Sequence, residues 1–129
     1  MRYAAAVAIV IVAALHLGFL ALEMFFWDHD LGRRIFSMTP EQSASSAVLA
    51  ANQGLYNGFL AAGLLWGLLA GKRDVQVFFL LCVIAAGLFG GATAKPTIWF
   101  TQALPGAVAL LLALAAPRRF PVARRKLSA

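Results

Sequence analysis

His16 and Glu23 are the residues of this chain best placed to do chemistry. An imidazole and a carboxyl group can exchange protons with a bound molecule, one as base and the other as acid. They stand seven residues apart, about two helical turns, so a helix presents them on one face together with Phe19 and Trp27. The stretch around them, Tyr3 to Trp27, is otherwise almost wholly apolar. Both groups are costly inside a bilayer. They should therefore face protein or a water-filled cavity rather than lipid.

The elements that must position this pair follow from composition. Of 129 residues, 62% are hydrophobic and only 12% charged, about half the charged fraction of soluble domains. Four apolar runs, near residues 3–27, 44–70, 74–93 and 96–116, read as bilayer spans. Backbone groups in a bilayer need internal partners, so the spans should be helices. The expected fold is all-α: a four-helix transmembrane bundle, up-and-down, over residues 1–117. Residues 118–129 form a basic tail. The apolar start is longer than an ordinary signal-peptide core, so we read it as a retained span.

The formal charge is +6. Of the 11 Lys and Arg, 8 lie at the termini and the second loop, against 3 (Arg33, Arg34 and Lys95) in the first and third loops. The positive-inside rule then places both termini in the cytoplasm, with the chain a multi-pass protein of the inner (plasma) membrane. The basic tail reads as a topology signal and an anionic-lipid contact, not a nucleic-acid site, because no folded basic domain accompanies it. Cys82 is the single cysteine, so intramolecular disulfides and multi-cysteine metal sites are excluded.

In chain order, Phe25-Phe26-Trp27 marks the outer interface, and Asp28, His29 and Asp30 mark water. The first loop, 28–38, contains Leu31, Ile35 and Phe36 and can lie on the surface as an amphipathic turn or lid. Thr39-Pro40-Glu41-Gln42 opens the second long helix, with Thr39 as N-cap and Gln42 at the capping-box position. Gly71 stops it. Ala47, Ala51, Gly54, Gly58 and Ala61 form a small-residue stripe that admits a close neighbour, and Gly54 and Gly58 offer a route to a homo-oligomer. Asn52, Gln53, Tyr56 and Asn57 lie beside it. Asp74 is placed to cap the third long helix, whose outer half is small and ends near Thr93. In the fourth, Pro105 frees the carbonyl of Thr101, near Gln102 and Trp99.

Antiparallel stacking levels the outer halves of these helices. The expected polar set is His16, Glu23, Trp27, Asn52, Gln53, Tyr56, Asn57, Thr93, Trp99, Thr101 and Gln102. We expect them to line an outer-leaflet pocket closed on the inner side by Leu, Val and Phe. The plainer alternative is that they only hydrogen-bond helices together, at about 0.6 kcal/mol each.

The chain resembles a bacterial family of small four-span membrane proteins, domain-of-unknown-function family 1304. The resemblance rests on His16 with Glu23-Met24-Phe25-Phe26-Trp27, and on the run Asn52-Gln53-Gly54-Leu55-Tyr56-Asn57-Gly58-Phe59-Leu60-Ala61-Ala62-Gly63-Leu64. It extends to Ala86-Gly87-Leu88-Phe89-Gly90-Gly91-Ala92-Thr93 and to Gln102 with Pro105. It covers nearly everything before the tail. It implies a shared fold and pocket and carries no activity. Gly106 stands where alanine is expected, with no functional consequence.

Two functional classes fit. The first is an acid–base enzyme, an isomerase or epoxide-opening type, acting on a small lipophilic molecule. There His16 and Glu23 are catalytic, and Gln53, Tyr56 or Asn57 stabilise developing negative charge. The second is a small-molecule binding or proton-coupled transport protein. A further alternative is haem with His16 as axial ligand; nothing in the sequence requires a cofactor. Glycine-rich phosphate loops, paired-histidine motifs and nucleophile elbows are absent from the sequence.

Overall fold

The computed structural model describes residues 1–117, so the basic tail lies outside the described residues. Among these the chain is all-α. Helix α1 spans Arg2–Phe25, α2 Asp30–Phe36, α3 Pro40–Leu69 and α4 Arg73–Thr93. A π-helical turn, Trp99–Ala103, runs directly into α5, Leu104–Ala115. α1 and α4 are long and apolar enough to cross a membrane.

The four long elements stand in a square. α1 packs on α3 and α5, and α4 packs on the same two. Sequence neighbours are therefore spatial neighbours, as short loops require. One end of the bundle carries the N-terminus, the α3–α4 turn and the end of α5. The other, called the loop end here, carries α2 and the α4–α5 connection.

The buried positions step by threes and fours. On α1 they include Ala5, Ile9, Val12 and His16; on α3 they include Ala50, Gly54, Asn57, Ala61 and Leu64. This near-3.5 period is the seam of left-handed helix packing. Ile9, Val12, Ala61, Leu64, Leu80, Val83, Ala109 and Ala113 close the centre. Small residues let backbones meet. A Cβ on Gly87 would lie 2.6 Å from the Ala103 nitrogen, and one on Gly54 would lie 3.1 Å from the Leu20 carbonyl oxygen.

The loops largely follow their sequence signals. Thr39 caps α3 with the full reciprocal box: its hydroxyl accepts from the Gln42 amide at 3.2 Å, and its own amide donates to Gln42 Oε1 at 2.9 Å. Gly71 takes φ 64 after α3, the left-handed stop that glycine allows without strain. The 28–38 loop contains a short helix, α2, held by Arg33 on Asp28 and Asp30 at 3.0 and 2.9 Å.

Two expectations need correction. Asp74 does not cap α4: the helix already includes Arg73, with Lys72 at the cap position and no side-chain cap bond. The fourth long helix is not uniform from 96 to 116. Pro105 has no N–H to give the carbonyl of Thr101. The chain widens into the π turn just before it, where the Leu104 amide donates to Trp99 oxygen, five residues back.

Candidate functional site

The α1 seam carries His16 into the bundle interior. Its side chain is 0% exposed. Nδ1 lies 2.8 Å from the Val12 carbonyl oxygen, four residues back, and so must donate to it. In the neutral ring this leaves Nε2 a bare acceptor. That atom is buried and meets no hydrogen-bond partner among the described residues. Phe19 stands edge-on to the ring at 5.7 Å.

Two turns further along α1, half-buried Glu23 accepts a hydrogen bond from Asn57 Nδ2 at 2.7 Å. Asn57 is 7% exposed and occupies the α3 seam one turn from Gly54. The glycine is what makes this bond reachable: its missing side chain leaves room for Met24 and the Glu23 Cβ against the α3 backbone. The rise between His16 and Glu23 is about 10 Å. The imidazole is also turned back towards Val12, away from Glu23. The two groups therefore cannot grip one atom; they can meet two parts of one ligand, or exchange a proton through intervening water.

The remaining residues of the expected set divide. Trp27 Nε1 donates to Ser46 Oγ at 2.9 Å and its ring packs on Phe36 at 4.6 Å, so it closes the loop end. Ser43 supports this closure by donating to Asp28 at 2.5 Å. Gln102 Nε2 reaches the Val83 carbonyl of α4 at 3.3 Å. Trp99, 42% exposed, packs against Gly91 and donates to the Leu88 carbonyl at 3.1 Å. Thr93 and Thr101 are exposed and bond back to Phe89 and Thr97 carbonyls, each four residues earlier.

Asn52, Gln53 and Tyr56 point outward on α3, Tyr56 being 52% exposed. The helix turns about 100° per residue, which puts Asn52 and Tyr56 roughly opposite Gly54. The polar arc therefore splits at Asn57, which alone joins the seam. The small-residue stripe admits a close neighbour within the chain: Gly54 and Gly58 both lie against Leu20 of α1. Ser43 and Ser46 were missed as partners of Asp28 and Trp27. Their nearness to Thr39 and the antiparallel return of α3 along α1 are the signals that could have found them.

The chief cavity, about 980 Å³, opens at the opposite end of the bundle and reaches Ile9 and Leu68. The buried apolar layer of Val12, Leu64 and Leu80 lies beyond Ile9, on the way to His16. Among the described residues no group of three or more His, Cys, Asp or Glu gathers to hold a metal ion. Nε2 of His16 has the chemistry of an axial ligand. It is enclosed, however, so a haem there would need the helices around it to part.

An all-helical bundle with an interior carboxyl–amide pair and a deeper histidine defines the class. The chain belongs to the family described as Protein of unknown function (DUF1304), whose model matches residues 10–114. It is similar to the Uncharacterized protein YpaA of Lactococcus lactis subsp. lactis (strain IL1403), with 31% identity over 94 residues, 70% of this chain and 76% of that one. No solved structure matches it.

Proposed function

We propose that this chain is a four-helix, multi-pass inner-membrane bundle that binds a small lipophilic molecule between His16 and the Glu23–Asn57 pair. Glu23 serves as proton donor and His16 as acceptor on that molecule, the chemistry of an isomerase or of epoxide opening. The unpartnered Nε2 of a fully buried histidine carries the reading. An unmet buried acceptor costs about 1–3 kcal/mol, and an occupant that donates to it removes that cost.

Several features support the membrane setting. α1 and α4 have the length and apolarity of spans. Large apolar side chains are exposed around the bundle, among them Leu49, Leu69, Phe89, Phe100 and Leu111. At the loop end Arg33 is paired with Asp28 and Asp30, and Lys95 bonds the Ile35 carbonyl at 3.1 Å. The excess positive charge thus belongs to the other end, in keeping with cytoplasmic termini. The apolar layer between the cavity and His16 argues against a through-path, and so favours an enzyme or receptor over a transporter.

The test is a mass-spectrometric and absorption survey of the gently purified protein beside His16→Leu and Glu23→Gln. The expected result is a co-purifying small molecule lost from both variants. Leucine removes the orphaned acceptor, so His16→Leu should be at least as stable as the parent stripped of its ligand. An empty parent, with His16→Leu less stable, would reduce the pair to helix packing and end the acid–base proposal.

A further inference from the structure

The cavity at the terminal end plays no part in the site above. Its rim carries three cationic side chains, Arg2, Lys72 and Arg73, against one carboxylate, Asp74. Its wall is apolar, formed by half-buried Ala6, Leu68 and Val77 with buried Ile9 behind them. Two of the cations have defined positions. Arg73 is tied to the carbonyls of Ala116, at 3.0 Å, and Leu114. The Lys72 ammonium stands 5.1 Å over the Trp66 ring. Arg2 has no such tie among the described residues.

We propose that this cavity binds one anionic phospholipid, its headgroup phosphate among Arg2, Lys72 and Arg73 and the upper part of an acyl chain along Ala6, Leu68 and Val77. About 980 Å³ lies near the top of the range of small-molecule pockets, enough for a headgroup and part of a chain. A phosphate matches the rim's charge, and an acyl chain matches its wall. The chain's own residues 118–129 continue from the cavity's edge at Pro117. They bring Arg118, Arg119, Arg124, Arg125 and Lys126, so like charge disfavours them as occupant. The proposal rests on the membrane reading above, because the same end then faces the cytoplasmic leaflet, where anionic lipid collects.

The test is native mass spectrometry of the full chain taken from bilayers of equimolar phosphatidylglycerol and phosphatidylcholine. The expected result is retention of phosphatidylglycerol over phosphatidylcholine. That preference should weaken roughly fivefold for each cation removed by Arg2→Gln or Lys72→Gln. Leu68→Trp, which narrows the cavity and leaves its charge alone, should also weaken it. Lys95→Gln, at the other end, should not. Variants are compared at matched thermal stability in neutral detergent. Equal retention of the two lipids would overturn the proposal, as would an equal loss in Lys95→Gln. So would displacement by inorganic phosphate alone, which would mark a free-anion site. Uptake appearing only in Phe120→Ser would give the cavity to the tail. Extraction of the protein from membranes by alkaline carbonate would bring down the bundle reading itself; an integral protein without lipid preference would bring down this inference alone.

Discussion

At the scale of single residues, the polar groups on which the proposed site turns are His16, Glu23 and Asn57, on the seams of α1 and α3. Asn57 is the one carboxamide of the α3 quartet that turns inward, and it meets Glu23 at 2.7 Å. Replacing Asn57 by leucine should leave the carboxyl without its donor and lower stability by about 1–3 kcal/mol, read as a shift in denaturation in detergent. Glu23→Gln keeps a hydrogen-bonding partner and should lose far less, while abolishing ligand retention. A variant pair that behaves in the reverse order would place the importance of this bond in chemistry other than proton donation. His16 differs from both, because its one bond is to its own helix and its other nitrogen is unmet.

At the scale of elements, helix contacts are set by where side chains are missing. Gly87 lies against the Ala103 backbone, beside the π turn that Pro105 imposes ahead of α5. Gly87→Leu should push α4 from α5 and cost about 1–3 kcal/mol, with Gly87→Ala milder, as judged by thermal denaturation. α2 is held differently, by charge at the surface. The Arg33 hydrogen bond and charge beside Asp30 hold its carboxyl below the usual carboxylate range. A carboxyl with a lowered folded value contributes stability above its unfolded value and loses it as pH falls through the folded one. Acidification below the usual carboxylate range should therefore loosen α2. The change should appear in Trp27 emission, since that ring packs on Phe36, and Arg33→Gln should remove its pH dependence.

At the scale of the whole molecule, the two ends are unlike. The loop end is closed by Trp27–Ser46, Asp28–Ser43 and α2, with its cations engaged. Among the described residues the terminal end is open and cation-rimmed, and a basic segment follows it in sequence. With Cys82→Ala as background, a cysteine at Ser37 should react with an impermeant thiol reagent on intact spheroplasts. A cysteine at Ser128 should react only after lysis. The opposite pattern would invert the proposed orientation.

Residue spacing was enough to read the all-helical class, the Thr39–Gln42 box, the Gly71 stop and the end of α4 at Thr93. Each depends on local chemistry: a cap needs residues three apart, a stop needs positive φ, and a run of apolar residues shows itself. His16 and Glu23 sharing a face follows from helical period for the same reason. Which partner that face meets is a different matter. Asn52, Gln53, Tyr56 and Asn57 look equivalent along the sequence, and a rotation of α3 by a fraction of a turn decides which of them is inside. That rotation is set by Gly54 and Gly58 seating against Leu20, a contact between residues more than thirty positions apart. The loss of the Asp74 cap and the π turn before Pro105 belong with it. So does the cavity between Arg2 and Lys72, since its walls come from chain segments that only packing brings side by side.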